Sequence, residues 1–298
     1  MENLCSICPR NCKVLRNENS GTGFCKMGLN PVVARVSKHM WEEPCISGTE
    51  GSGTVFFSGC VMKCVFCQNY KISTQNFGKV LTPSQLADCY KSLEEQGVNN
   101  INLVTPTHFV QAITKSLDIY KPKIPVVYNC GGYESVDTLK SLEGYIDIYL
   151  PDFKYADSDL AKKYSNATDY PEIAIKAIKE MYRQQPKNIF DKNGIMKNGI
   201  IIRHLVLPGN TKNSVAVIKL IKENFGCNIP VSLMAQYTPY GVTEKYPEIN
   251  RKVTKREYKK VVEFLENTEL DGFVQELSSA TDQYIPDFNL QGIAEKNL

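Results

Sequence analysis

The sequence predicts an α/β fold in which parallel strands alternate with helices, and three observations carry that prediction. From residue 53 onward, short β-branched runs are separated by segments with apolar residues at helical spacing. The helical segments have readable starts and stops. Strands that alternate with helices in this way form a parallel sheet joined by right-handed crossovers. The candidate strands are 54–58, 102–105, 125–129, 146–151, 200–207 and 230–236. Six strand–helix units are too few for an eight-fold barrel; they suit a doubly wound sheet or an open, partial barrel.

The elements follow in order. Gly48, Gly51 and Gly53 form a flexible turn into the first strand; no Gly-Lys-Ser/Thr follows, so this is not a phosphate loop. Thr82-Pro83-Ser84-Gln85 is a capping box with proline at the first helical position, Leu86, Ala87, Tyr90 and Leu93 share one face, and Gly97 ends the helix. Phe109, Val110, Ile113 and Leu117 repeat the pattern in the next helix. The Asn- and Gly-rich stretch 188–199 reads as an excursion before the fifth strand. Thr254 and Glu257 make a second capping box, ahead of Tyr258, Val261, Val262 and Leu265. The organisation expected is a small Cys-rich metal-binding module over 1–45, a core over 46–285 and a tail over 286–298.

Composition narrows the function. The 298 residues are 42% hydrophobic and 22% charged, which excludes disorder and fibrous repeats. A net charge of 35 − 32 = +3 gives no footprint for nucleic acid. No apolar run approaches the roughly 18 residues of a membrane span. Met1 leads straight into ENLCSICPRNC rather than a secretion signal, so the chain is expected in the cytoplasm. Thiols stay reduced there, and clustered cysteines point to metal or redox chemistry.

Seven of the eleven cysteines fall into two groups. Cys45, Cys89, Cys130 and Cys227 lie apart and read as packing residues. Cys60, Cys64 and Cys67 form C-x3-C-x2-C directly after a strand, in SGCVMKCVFCQNY. A zinc site would close its tetrahedron with a fourth nearby ligand, and none follows in sequence. Three cysteines on a four-iron cluster leave one iron open to a small molecule. Cys5, Cys8, Cys12 and Cys25 offer four thiolates from a short segment, enough for a closed zinc site or a fully ligated cluster; both remain open.

The central group, with the aromatic Phe66 before its last cysteine, resembles the hallmark of the radical S-adenosylmethionine (SAM) enzymes. The resemblance covers about residues 50–280. It implies a partial (βα)6 TIM-type barrel, with a 4Fe-4S cluster on Cys60, Cys64 and Cys67 and SAM as cofactors. SAM would chelate the open iron, and one electron would cleave it to methionine and a 5′-deoxyadenosyl radical that takes a hydrogen atom from substrate.

The resemblance also implies contacts to SAM at strand ends. The Phe66 backbone would meet adenine, with Gln236 near the same side. Thr105-Pro106-Thr107-His108 departs from the Gly-Gly-Glu stretch usual on the second strand, so Thr105 and Thr107 take the place of the amino-group partner. His108 is either a further contact or a helix N-terminal residue facing water. Asn129 would reach the ribose or methionine. Asp152-Phe153-Lys154 is similar to a run in activating enzymes for glycyl-radical proteins; it implies Lys154 on the SAM carboxylate or ribose and Asp152 in a supporting or substrate-facing role. Arg203, an arginine among apolar strand residues, needs an anionic partner or a wet cavity.

CxxCPRxC at the N-terminus, the Thr-Pro-Thr-His run and the Cys-Gln-Asn loop end resemble proteins similar to pyruvate formate-lyase activating enzyme. The partners implied are a flavodoxin- or ferredoxin-type electron donor and a protein or peptide substrate. A small-molecule or nucleotide substrate is the alternative, expected if the segment after Gly272 closes the barrel mouth. A non-catalytic zinc ribbon for nucleic acid is the alternative of another class, and the short basic run PRNCKVLRN argues against it.

Overall fold

The computed structural model describes residues 4–281 and 285–293. In chain order the elements begin with β1 (Val32–His39), α1 (Pro44–Ser47), β2 (Ser52–Phe57), α2 (Tyr70–Ser73), β3 (Lys79–Val80), α3 (Pro83–Glu95), β4 (Ile101–Val104), α4 (Val110–Ile119) and β5 (Val126–Cys130). They continue with α5 (Val136–Lys140), β6 (Ile148–Pro151), α6 (Ser158–Ser165), α7 (Tyr170–Gln184), β7 (Ile189–Phe190), β8 (Met196–Ile200), β9 (Ile202–Leu205), α8 (Thr211–Phe225), β10 (Val231–Met234), α9 (Lys255–Glu266) and β11 (Gly272–Val274). Both capping boxes form: the Thr82 and Thr254 hydroxyls accept from the backbone N–H of Gln85 and Glu257, whose side chains reach back.

The strands β2, β4, β5, β6 and β8 pair in parallel, and β9, β10 and β11 form a second parallel run. The two runs are one curved wall. Strands β8 and β9 are successive halves of one extended segment, and the N–H of Ile201 donates to the Tyr149 carbonyl at the join (3.0 Å). Beyond it, the Phe153 N–H donates to Arg203 (2.7 Å). Seven parallel strand positions, with β8 and β9 counted as one, the antiparallel β1 with the two-residue β3 beyond it at the first edge, and no strand pairing between β11 and β1 or β2 among the described residues make an open, partial barrel.

The period of two in a strand decides what lies inside. Leu103, Tyr128, Tyr149, Ile202 and Leu233 belong to the large apolar core beneath the helices. Their neighbours Asn102, Asn129, Ile148, Leu150, Arg203 and Ser232 take the opposite, inner face. Cys45 and Ile46, from the loop between β1 and β2, pack on Val127, Ile148 and Leu150 and plug one end of the barrel. The other end, where β2, β4, β5 and β6 finish, carries the cysteine loop.

Three readings of the sequence need correction. Residues 32–39 lie in the stretch without strand–helix rhythm, yet they form β1, antiparallel to β2 and β3; an antiparallel strand is not part of a β–α repeat, so that rhythm is silent about it. Residues 188–199 are a hairpin rather than an excursion: the Asp191 carboxylate accepts from the N–H groups of Asn193 (2.9 Å) and Ile195 (3.0 Å), and the returning strand is the one that pairs with β6. Cys227 is exposed, not packed, because it follows the Gly226 cap of α8 on the surface.

Candidate functional site

The loop after β2 holds Cys60, Cys64 and Cys67. Gly59 turns into it at φ 81°, and a Cβ there would sit 2.5 Å from Met27. The thiols face one another: burial and then mutual repulsion push Cys67 up to about 12, and Cys60 rises for the same two reasons. Hydrogen-bond donors are aimed at sulfur. The Met62 N–H lies 3.3 Å from Cys60 Sγ, and the Ser165 hydroxyl donates to Cys64 Sγ (2.9 Å) while accepting from Tyr155 (2.7 Å). Among the described residues no three His, Cys, Asp or Glu side chains close on a point that would hold a single ion. Three thiols without histidine or carboxylate, with N–H and O–H donors on sulfur, are the donor chemistry of an iron–sulfur cluster.

Beside this loop the inner face is ionic. Asp152 pairs with Lys154 and, at 3.1 Å, with Arg203 Nε; Arg203 also reaches Glu42 at 3.1 Å and the Asn129 amide oxygen at 2.5 Å. Burial would push the Asp152 carboxyl up, but Lys154 and Arg203 outweigh it and hold it below the usual carboxylate range. Burial likewise works against the charge on Lys154 and Arg203, and the carboxylates more than offset it, so both stay protonated. The side chain of Lys154 also feels Cys64. Tyr170 fixes the backbone here: its hydroxyl binds the carbonyls of Gly131 (2.9 Å) and Asp152 (2.8 Å) and the N–H of Lys154 (2.9 Å).

A cavity of about 790 Å³ runs along this inner face; Gln68, Asn129, Arg203 and Gln236 line it together with Glu42 and Glu43. Gln68 donates to the Gln236 carbonyl (2.9 Å), which ties the end of the cysteine loop to β10. Of the residues the sequence singled out, Asn129, Asp152, Lys154, Arg203 and Gln236 are thus brought together. Phe66 is buried with its ring edge-on to Tyr237 at 5.9 Å. Thr105 turns the chain at φ 61°, its N–H on the Asn129 carbonyl (2.9 Å).

Thr107 and His108 are not brought into this wall. Thr107 is buried and donates to Glu134 (2.8 Å). His108 does not face water: it is 1% exposed, with Nε2 on the Ser58 carbonyl (2.7 Å), and burial lowers it to about 3. Glu42, Glu43 and Ser165 went unread in the sequence. The only signal for the first two is an acidic pair inside MWEEPCI, which no strand or helix period marks as inward.

The N-terminal cysteines gather against the same loop. Burial raises Cys8 to about 12, with Cys25 and Cys12 adding repulsion, and Cys25 feels Cys5 and Cys12. Arg10, of the CPRNC run, fastens this segment to the barrel: it donates to the carbonyls of Val61 (2.8 Å), Ser165 (3.0 Å) and Asn166, with its guanidinium 4.1 Å from the Phe24 ring. Lys63 feels both Cys25 and Cys60, with its Nζ 5.2 Å from the Phe24 ring.

Comparison with known proteins agrees with this geometry. Residues 54–221 match the family model described as the radical SAM superfamily. An uncharacterized protein of Methanocaldococcus jannaschii is 31% identical over 277 residues, covering 90% of this chain and 75% of that one. This chain belongs to the radical SAM superfamily, which implies a 4Fe-4S cluster and SAM. Among solved structures, a radical SAM methyltransferase from Sphaerobacter thermophilus superposes with TM-score 0.52 at 14% identity over 74% of this chain and 65% of its own. SuiB of Streptococcus suis, bound to its precursor peptide SuiA, gives 0.50 at 14% over 74% and 48%. The chain therefore spans between about half and two thirds of those structures, and the likeness is one of fold. No helix among the described residues is long and apolar enough to cross a membrane.

Proposed function

We propose that this chain abstracts a hydrogen atom from a peptide or protein group inserted into the barrel interior, in the manner of an activating enzyme. The cavity's apolar rim carries the reading: Met40, Trp41 and Val274 are 40%, 58% and 46% exposed beside a charged interior. Apolar surface rimming a polar pocket is what a docked chain covers. Bound to Cys60, Cys64 and Cys67, the cluster would supply one electron to SAM, and cleavage of SAM would supply the 5′-deoxyadenosyl radical. Lys154, paired with Asp152 and close to Cys64, would hold the SAM carboxylate or ribose. Asn129 and Gln236 would position its remaining polar groups, and Phe66 and Tyr237 would exclude water.

A second reading, a small-molecule or nucleotide substrate, is favoured by the C-terminal segment. Residues 285–293 run over the open edge: the Phe288 ring stands 5.5 Å from Phe56, Leu290 donates to Ala34 (3.1 Å), and Val36 donates to Gln291 (2.8 Å).

Cys5, Cys8, Cys12 and Cys25 would hold a zinc ion or a second cluster in this reading. A flavodoxin- or ferredoxin-type donor would deliver the electron, in the cytoplasm. The substrate class is tested by adding the dialysable and the retained fraction of a cell extract to anaerobically reconstituted protein. Greater 5′-deoxyadenosine formation with the retained fraction is expected. Stimulation by the dialysable fraction alone contradicts a protein substrate.

A further inference from the structure

Three carboxylates, Glu42, Glu43 and Asp152, face two cations, Lys154 and Arg203, on the inner wall. Asp152 takes both cations, and Glu42 takes Arg203 with the Asn102 amide (3.1 Å). Glu43 feels the Arg203 charge and Ser232, but makes none of the close ion pairs given for Glu42 and Asp152. It is 8% exposed and lines the cavity, and its Oε2 is buried with no hydrogen-bond partner among the described residues. The Asn102 Oδ1, beside Glu42, is a second buried acceptor without a partner. Buried acceptors left unmade are costly, and native interiors pair nearly all of them. What is missing is a group that only donates.

We propose that Glu43 is the recognition site for a primary amine or guanidinium on the substrate, whose aliphatic stem passes the apolar rim of Met40, Trp41 and Val274. An ammonium offers three donors and a guanidinium five, with no acceptor to leave unmatched. Either brings a positive charge to a carboxyl whose ionised form burial disfavours. Burial pushes Glu43 up, with Arg203 and Ser232 pulling the other way, so the cost of its charge is only partly met by the protein itself. The apolar rim suits the methylene stem of a lysine or arginine side chain as well as a free alkylamine. The inference rests on the substrate entering the barrel interior, as proposed above; it names the chemistry of the group that enters.

Trp41, at the rim, is the chain's only tryptophan, so its fluorescence reports occupancy. Reconstituted protein with SAM is titrated, by calorimetry and by this fluorescence, with n-butylamine, n-butylguanidine and the neutral n-butanol. Ala-Lys-Ala and Ala-Arg-Ala against Ala-Gln-Ala form the peptide arm. The cationic probes should bind roughly tenfold to a hundredfold more tightly than the neutral ones, and Glu43→Gln should erase that preference. Tighter binding of the peptides assigns the cation to a peptide side chain, and tighter binding of the free amines assigns it to a small molecule. Equal binding of charged and neutral probes, or a preference that survives Glu43→Gln, overturns the proposal. Should Glu43→Gln fail to fold, Val274→Phe narrows the rim without touching a buried charge or adding a second tryptophan; it should weaken amine binding about tenfold, and unchanged binding overturns the proposal. None of these titrations requires SAM cleavage, so their failure is distinct from a failure of the radical reading.

Discussion

Arg203 and His204 are adjacent on β9 and face opposite ways, which is why one is charged and the other neutral. Arg203 points into the barrel, where removing it strands Asp152 and Glu42 as buried carboxylates. Arg203→Met should cost about 3–5 kcal/mol in urea unfolding, and a cost near zero would mean the pairs are solvated. His204 points into the helix layer. The Phe153 carbonyl can only accept, so Nδ1 carries the proton (2.7 Å) and Nε2 accepts from the Ser214 hydroxyl (2.9 Å). Burial lowers this histidine from 6.5 to about 4. Between those values the unfolded chain binds the proton and the folded one refuses it, so the stability this histidine contributes is lost as pH falls from 6.5 toward 4. That lowering corresponds to about 3 kcal/mol. Relative to His204→Gln, wild type should lose about that much between pH 7 and pH 4; parallel pH profiles would contradict it. The demand of Arg203 for an anion was legible in the sequence. Its partner Glu42 was not, because it arrives on an irregular loop whose inward direction only tertiary packing decides.

Local rules made the helices readable, and long-range pairing made the rest opaque. The capping box at Thr82 is complete within four residues, so the sequence located α3 to the residue. Thr82→Ala should cost about 1 kcal/mol in denaturant unfolding. The strand β1 depends on partners at 52–57 and 79–80, and the 188–199 hairpin on its pairing with β6; neither leaves a periodic mark. The link between the N-terminal segment and the cysteine loop is equally non-local. Arg10 spans it through carbonyls 51 and 155 residues away. Arg10→Ala should destabilise the protein by roughly 2–3 kcal/mol and alter the electron paramagnetic resonance of the reduced central cluster, since Val61 and Ser165 border Cys60 and Cys64. An unchanged spectrum would mean that the two segments are mechanically independent.

On the scale of the molecule, seven parallel strand positions curve around a polar interior, with three thiols at one end and a plug of Cys45 and Ile46 at the other. The cysteine spacing and the strand rhythm were enough to foresee the barrel and the thiol loop at its strand ends. The inner ionic wall was only partly foreseeable, as strand periodicity places Asn129 and Arg203 but not the loop carboxylates that complete it. In the proposed chemistry Cys64, buried and hydrogen-bonded by Ser165, would be one of the three cluster ligands. The most direct test is 5′-deoxyadenosine formation by anaerobically reconstituted protein given SAM and a strong reductant, run beside Cys64→Ala. Product from wild type and none from the variant is the expected result. A central loop that takes up no iron, or equal product from both proteins, would contradict the account.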